Sequence, residues 1–430
     1  MSIKDSQKIL VISKALPTTG GGLRALRSLM EYSKHFDVYL FIPWGLWNDK
    51  QLLREASKYL RELRSMGIRF GGFSSRSSTL PFASDALKSH IAGSLFTSFV
   101  PKIVRIGVGM LDYDAIVVLH EAWDAVYSGY ILAEVFDVPA MVLLQLPPFY
   151  GSLKRFENIL KALVLWRRTW SENTIKESVL EISFYVRVKR TAFLRKLRYE
   201  KVLRCYDLVV GVSRAVAVDM SGEWVDRMYC FDPGVSLDDE DLELIKGVRA
   251  RVREKQDYIV FGGRPVTEKG LAEALIAFKF ISKRFPNLKL VFTGGISPEM
   301  YSYIRRVLRR FGIEDKVIFT GFVSRKERSE IVARAKLMLY PSHVDAFSYA
   351  VLESLHLGTP VVDYRIPALE IYYGKSPGVT LIEEGDIEAL TVKAIDVLEK
   401  GVEAVEPPKI KSWREIMNEE IEIIRKLVSK

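Results

Sequence analysis

Two acids and two cations mark the stretch of this 430-residue chain best equipped for chemistry. Asp345 and Glu353 have seven residues between them, the first in a polar loop, the second inside a predicted helix that begins near Phe347 or Ser348. At about 1.5 Å per residue, Glu353 lies roughly 7–8 Å along that helix. A ligand laid over the helix start therefore meets one carboxylate at each end and unpaired backbone N–H groups in the middle. A nucleotide diphosphate sugar has that form: a hydroxylated sugar, a doubly charged diphosphate, a hydroxylated ribose. Arg264 and Lys269 occupy a turn after the predicted strand 258–262 and face the same sheet edge. A guanidinium and an ammonium converging there suit a departing diphosphate. In the plainer alternative Asp345 caps the helix, Glu353 is solvated, and both cations are ordinary loop charges.

The elements that must hold these residues are legible around them. An apolar strand, 337–340, stops at Pro341-Ser342, and the helix ends at Gly358, with Thr359-Pro360 launching the strand at Val361. Glycine after the last helical residue and proline soon beyond are stop signals. Upstream, strands at 258–262, 288–293 and 317–322 alternate with helices at Leu271–Arg284, Pro298–Phe311 and 325–335. That alternation predicts an α/β fold with a parallel, doubly wound sheet, whose ligands sit at the carboxyl ends of the strands. Gly263 in the turn after strand 258–262 belongs to the same edge.

The first half repeats the pattern less regularly, with strands at 8–14, 37–41, 67–70, 114–120, 138–146, 207–213 and 228–231. Gly20 to Gly22 form a predicted turn between the first strand and a helix over 23–35. Gly21 and Gly22 there would let a ligand approach the backbone closely. The spacing is neither a dinucleotide fingerprint nor a Walker loop, and a plain tight turn is the alternative. His120 and Gln145 end two strands at the carboxyl edge and are acceptor-side candidates; His120 equally suits a hydrogen bond to backbone.

Composition sets the bounds. At this length two domains are expected. Cys205 and Cys230 make neither a disulfide framework nor a metal site. The N-terminus has no apolar signal core and no run is long enough to span a bilayer, so the expected location is cytoplasmic. The net charge of +10 is concentrated in residues 151–204, which hold 14 Lys/Arg against 5 Asp/Glu. Leu153, Phe156, Ile159, Leu160, Leu163, Trp166 and Trp170 fall on one helical face there, opposite Lys154, Arg155, Asn158, Lys161 and Arg168; Arg187, Lys189, Arg190, Arg195, Lys196 and Arg198, interleaved with Phe184, Tyr185, Phe193 and Leu194, extend the basic surface. Such a helix suits an anionic membrane surface, peripheral at the cytoplasmic face, or packing on its own domain with a solvated basic side. No nucleic-acid motif accompanies the charge. Trp413, opening an amphipathic helix over 412–427, is expected in the core.

Taken in order, these pieces resemble the retaining glycosyltransferases of family four over nearly the full chain. The carriers are Gly263-Arg264 with Lys269-Gly270, Phe292-Thr293-Gly294-Gly295, and a strand from Val317 to Val323. Pro341-Ser342, Asp345, Phe347, Glu353 and Gly358 to Val362 follow, then Ala368 to Ile371 and Ser412-Trp413. In the first half the carriers are Gly20 to Gly22, the strand 207–213 and the turn Pro233-Gly234-Val235. The resemblance implies two facing Rossmann-like domains (the GT-B fold) with the donor in a cleft between them. The first is 1–235 on the acceptor side, including 151–204; the second is 236–411, binding the nucleotide sugar. A helix over 412–430 crosses back to the first.

By the same resemblance, Arg264 and Lys269 neutralise a UDP- or GDP-linked donor in place of a metal, and no cofactor is needed. Glu353 binds the ribose, Asp345 the transferred sugar, and the amides of Phe347, Ser348 and Tyr349 the phosphates. Transfer is front-face, the leaving phosphate helping to deprotonate the acceptor hydroxyl. The chain departs from the family at three points. Asp345 replaces a Glu, Ala346-Phe347-Ser348 replaces Gly-Phe-Gly, and Gln145 stands where a His is usual. The expected acceptor is a lipid or lipid-linked glycan at the membrane face. The alternatives are a soluble acceptor, a non-catalytic nucleotide-sugar-binding scaffold, and a nucleotide-sugar epimerase.

Overall fold

A computed structural model describes residues 7–13, 20–42, 59, 61–70, 112–171 and 175–429. The chain divides into two units. The first comprises residues 1–149, 193–235 and 414–430; the second comprises 150–192 and 236–413. The main boundary thus falls between Val235 and Ser236. Residues 150–192, read from the sequence as part of the first domain, pack with the second.

The first unit holds a parallel sheet of seven strands in the order β3-β2-β1-β4-β5-β6-β7. These are β1 (Lys8–Ile12), β2 (Asp37–Phe41), β3 (Arg69–Phe70), β4 (Ala115–Val118), β5 (Ala140–Leu144), β6 (Leu208–Gly211) and β7 (Tyr229–Cys230). The central strands are apolar on both faces, as a sheet covered by helices on each side requires. Helices α1 (Gly20–Tyr32) and α2 (Trp123–Phe136) lie between strands in the chain. The glycines therefore form the first turn of α1, not a turn preceding it; residues 14–19 lie outside the described residues.

The second unit holds six parallel strands in the order β10-β9-β8-β11-β12-β13. They are β8 (Tyr258–Phe261), β9 (Lys289–Phe292), β10 (Val317–Phe319), β11 (Met338–Tyr340), β12 (Val361–Tyr364) and β13 (Val379–Ile382). Its helices include α3 (Leu153–Trp170), the first part of α4 (Ile175–Leu203), α5 (Asp239–Arg251), α6 (Leu271–Arg284), α7 (Pro298–Phe311), α8 (Arg325–Arg334), α9 (Tyr349–His356) and α10 (Ile387–Lys400). The division between units falls within α4. Chain order reverses between β8 and β11, so ligands are expected beside the carboxyl ends of those two strands.

The last helix, α11 (Trp413–Val428), joins the first unit's core through Ile421, Ile424 and Leu427. Trp413 itself is only half-buried, short of the core position expected for it. Glu420 fastens α11 to α1: wholly buried, it pairs with Arg24 and accepts a hydrogen bond from the Tyr32 hydroxyl. The Arg24 Nε also donates to the Gly234 carbonyl at 2.9 Å. Among the described residues no helix is long and apolar enough to cross a membrane.

Candidate active site

The site is assembled from the two turns that follow β8 and β11. After β8 the chain runs through Gly262 and Gly263 into a short 3-10 turn, Thr267–Lys269, and Gly270 then opens α6. Gly270 has a positive φ of 74°, and a Cβ there would lie 1.9 Å from the Pro341 carbonyl oxygen. Only glycine lets these two turns touch.

That contact delivers Lys269 to the other turn. Its ammonium donates to the Val344 carbonyl at 2.6 Å and to Asp345 Oδ2 at 2.9 Å. The Tyr340 hydroxyl donates to the same carboxylate oxygen at 2.6 Å. Burial works against the Lys269 charge, but Asp345 and then Tyr340 more than offset it and hold the ammonium above its ordinary range. Burial and the Asp345 charge likewise keep Tyr340 protonated. The structure thus joins Lys269 and Asp345. Arg264, in the same turn, is exposed and has no hydrogen bond or ion pair from its side chain among the described residues. Gly263 adopts a positive φ of 94° against the Tyr340 ring.

Helix α9 starts where the sequence places it. Ser348 is the N-cap, its hydroxyl accepting from the Val351 N–H at 3.3 Å, so this serine, and not Asp345, caps the helix. Phe347 is buried against the Tyr372 and Tyr373 rings, and Tyr373 donates to the Ser348 carbonyl at 2.8 Å. Together they anchor the loop ahead of Tyr349, the first helical residue. Glu353 sits partly exposed on α9 and is paired at 2.8 Å with Arg328 of α8.

Several neighbours had no sequence signal beyond their strand-end position. Tyr340 is one; Asp363, at the end of β12, is another. Its carboxyl is wholly buried, accepts from the Ser342 and Tyr364 N–H groups, and is pushed well up by burial. His343 has the richest setting. Its ring nitrogens lie 2.9 Å from Glu273 and 2.9 Å from Glu384. Burial opposes its charge, yet those two carboxylates raise its pKa to about 9. Glu384 also accepts from Arg155 at 2.6 Å and Asn158 at 2.8 Å, and Arg155 donates to the His343 carbonyl at 2.9 Å. Arg155 therefore points into the second unit, correcting its place on the solvated basic face of α3. Leu153, assigned to the apolar face, is exposed, whereas Leu160 and Trp166 are buried. A pocket of about 490 Å³ beside His343 is lined by Lys161, Arg168, Tyr185, Glu273 and Glu384.

In the first unit, two candidates from different elements meet. A Cβ on Gly21 would lie 2.5 Å from Gln145 Oε1, so α1 packs directly on the strand-end glutamine. Gln145 is buried and its Nε2 donates to the Leu119 carbonyl at 2.7 Å. Gly22 shares this first helical turn. His120 Nδ1 accepts from the Ala122 N–H at 2.9 Å, the backbone role weighed for it from the sequence.

Known proteins resemble this chain in sequence over its second unit and in fold over nearly its whole length. Residues 248–412 match the family described as glycosyl transferases group 1. Mannosylfructose-phosphate synthase of Agrobacterium fabrum is 22% identical over 254 residues, 56% of this chain and 51% of that protein. The D-inositol 3-phosphate glycosyltransferase of Xylanimonas cellulosilytica is 27% identical over 188 residues, 41% of this chain and 44% of that protein. The alignments thus span about half or less of these curated relatives. Among solved structures, Anabaena HepE in complex with UDP and glucose aligns over 97% of this chain and 99% of its own, at 13% identity and a TM-score of 0.62. That likeness shows the GT-B fold. Residues 248–412 are thus similar to the group 1 glycosyl transferases, within a chain of two Rossmann-like units.

Proposed function

We propose that this chain is a retaining glycosyltransferase that needs no metal and transfers a sugar from a nucleotide diphosphate sugar to an acceptor hydroxyl. The donor is UDP- or GDP-linked and is held by the second unit; a lipid or lipid-linked glycan is the acceptor. The observation that carries this reading is the Lys269–Asp345 pair at the start of α9. Lys269 is kept charged beside the helix end where a diphosphate finds backbone N–H groups, and Arg264 in the same turn is unengaged. Negative charge accumulates on the leaving diphosphate in the transition state, so cations fixed in advance lower that barrier most. Asp345 accepts from the transferred sugar, and Glu353, half a helix further on, from the ribose. Gly21, Gly22, Gln145 and His120 serve the acceptor side or the donor's approach.

A soluble, phosphorylated acceptor is the second reading, favoured by the D-inositol 3-phosphate glycosyltransferase among the relatives. Thermal shift against a panel of nucleotide sugars identifies the donor, and product analysis with that donor reads the anomeric configuration. Arg264→Ala should lower transfer by about 10²–10³-fold with the fold unchanged. Full activity in that variant would remove the diphosphate role assigned to this turn.

A further inference from the structure

Helix α4 shows two unlike faces in its first-unit portion. Tyr199, Val202 and Leu203 are buried, and the Tyr199 hydroxyl donates to the Glu121 carbonyl at 2.8 Å. The helix is therefore already docked. The opposite face nonetheless carries three large apolar side chains: Phe193, 62% exposed, with Leu194 and Leu197 also exposed. Arg198 and Lys201 are exposed beside them, while Arg195 lies over the ring of the docked Tyr199. The two preceding turns continue the pattern with Val186, Arg187 and Arg190, all exposed. Between Ser183 and Leu203 there are seven Lys/Arg and one acid, Glu200, which lies 3.8 Å from Lys196.

We propose that this face of α4, from Phe193 to Lys201, docks the protein on an anionic lipid surface. The inference rests on the lipid-acceptor reading and names the surface through which it operates. It also narrows the membrane contact expected of residues 151–204 to the last turns of that segment. In α3 the apolar stripe is partly consumed by packing, with Leu160 and Trp166 buried, whereas α4 keeps Phe193, Leu194 and Leu197 in solvent. An isolated exposed leucine needs no explanation, but Phe193, Leu194 and Leu197 are neighbours on one helix face. Flanking guanidinium and ammonium groups sit at the level of lipid phosphates when such a face enters the headgroup layer. The charges that keep α4 from spanning a bilayer are those an interfacial helix uses. From Phe193 to Lys201 the face is roughly 12 Å long at about 1.5 Å per residue.

The test is co-sedimentation of the full chain with vesicles of phosphatidylglycerol and phosphatidylcholine, against phosphatidylcholine alone. Pelleting is expected only with the anionic vesicles and should fall as salt rises. Phe193→Ser with Leu197→Ser should lower partitioning by about tenfold or more. Arg198→Gln and Lys201→Gln combined should lower it by about tenfold or more. Both variants should keep the thermal shift produced by the nucleotide sugar, which shows that folding and the donor site survive. Equal pelleting on both vesicle types, no pelleting, or pelleting indifferent to both variants overturns the proposal. So does a concentration-dependent dimer that Phe193→Ser dissolves, because a second copy would then own the face. Absence of a nucleotide-sugar thermal shift in the unmodified chain counts against the donor reading alone and leaves the sedimentation result standing.

Discussion

Each unit contains a trio of the same composition, a cation, a carboxylate and a tyrosine. In the first unit it is Arg24, Glu420 and Tyr32; in the second, Lys269, Asp345 and Tyr340. The first is sealed, with the Arg24 and Glu420 side chains 1% and 0% exposed. In the second, Lys269 and Asp345 retain 15% and 11%. The sealed trio joins α1 to α11, elements nearly four hundred positions apart in sequence, and has no opening toward a ligand. The other lies at the carboxyl edge of a parallel sheet, where the turns after β8 and β11 come together. The same chemistry thus acts as an internal fastening in one place and, in the function proposed for it, meets the donor in the other. Position relative to the sheet edge decides between them, not residue type.

The largest expected effect belongs to the sealed trio. Glu420→Ala leaves a guanidinium buried without its carboxylate and should cost about 3–5 kcal/mol of stability. Urea unfolding measures it directly, and nucleotide-sugar affinity of the folded fraction should be unchanged. If the variant instead kept its stability and lost affinity, the roles of the two trios would be reversed. Lys269→Ala is the mirror experiment. Transfer should fall by about 10²–10³-fold, as when a preorganised transition-state partner is removed, while unfolding changes less than in Glu420→Ala. Unimpaired kcat would place Lys269 among structural cations.

How far the sequence revealed this difference can be followed residue by residue. Short-range signals were readable: Ser297-Pro298 and Gly312 bracket α7, and Gly358 ends α9, because caps and stop residues act within a turn of themselves. The order of strand, turn and helix placed Arg264, Lys269, Asp345 and Glu353 at one sheet edge for the same reason. Partners distant in sequence were not readable. Nothing near His343 announces Glu273 or Glu384, and nothing near Arg155 announces an inward turn toward both. Helix α5 was also unread, its first residues Asp239, Glu240 and Asp241 lying just past the division between the units. They are acids at a helix N-terminus behind the Asp238 cap. Burial at Tyr340 and Asp363 is likewise a property of tertiary packing, which a strand-end tyrosine or aspartate does not advertise.

His343 sharpens the comparison, being a third buried charge network with a titratable member in an accessible range. Its folded pKa of about 9 lies above the ordinary 6.5, so its contribution is fully present below about pH 6.5 and is lost as pH rises through 9. Across that interval the second unit should lose on the order of 3 kcal/mol, read as the fall in urea stability of the unmodified chain minus that of His343→Gln. Parallel curves for the two proteins would mean that His343 is neutral in the folded state.

The smallest effect concerns Arg328 and Glu353. Their side chains are 37% and 24% exposed, so the pair behaves as a surface ion pair worth about 0–1 kcal/mol. Arg328 engages Oε2 of Glu353, which restricts the carboxylate's rotation and leaves Oε1 for the ribose hydroxyl proposed as its partner. Arg328→Ala should therefore weaken nucleotide binding by roughly twofold to fivefold, within the value of that ion pair, and hardly change stability. Calorimetry with UDP and GDP checks it. A tenfold or greater loss would exceed what orienting one carboxylate can supply and would assign Arg328 a contact of its own with the nucleotide. The open region of the molecule would then extend from the Lys269 turn across to α8, well beyond the trio that mirrors Arg24, Glu420 and Tyr32.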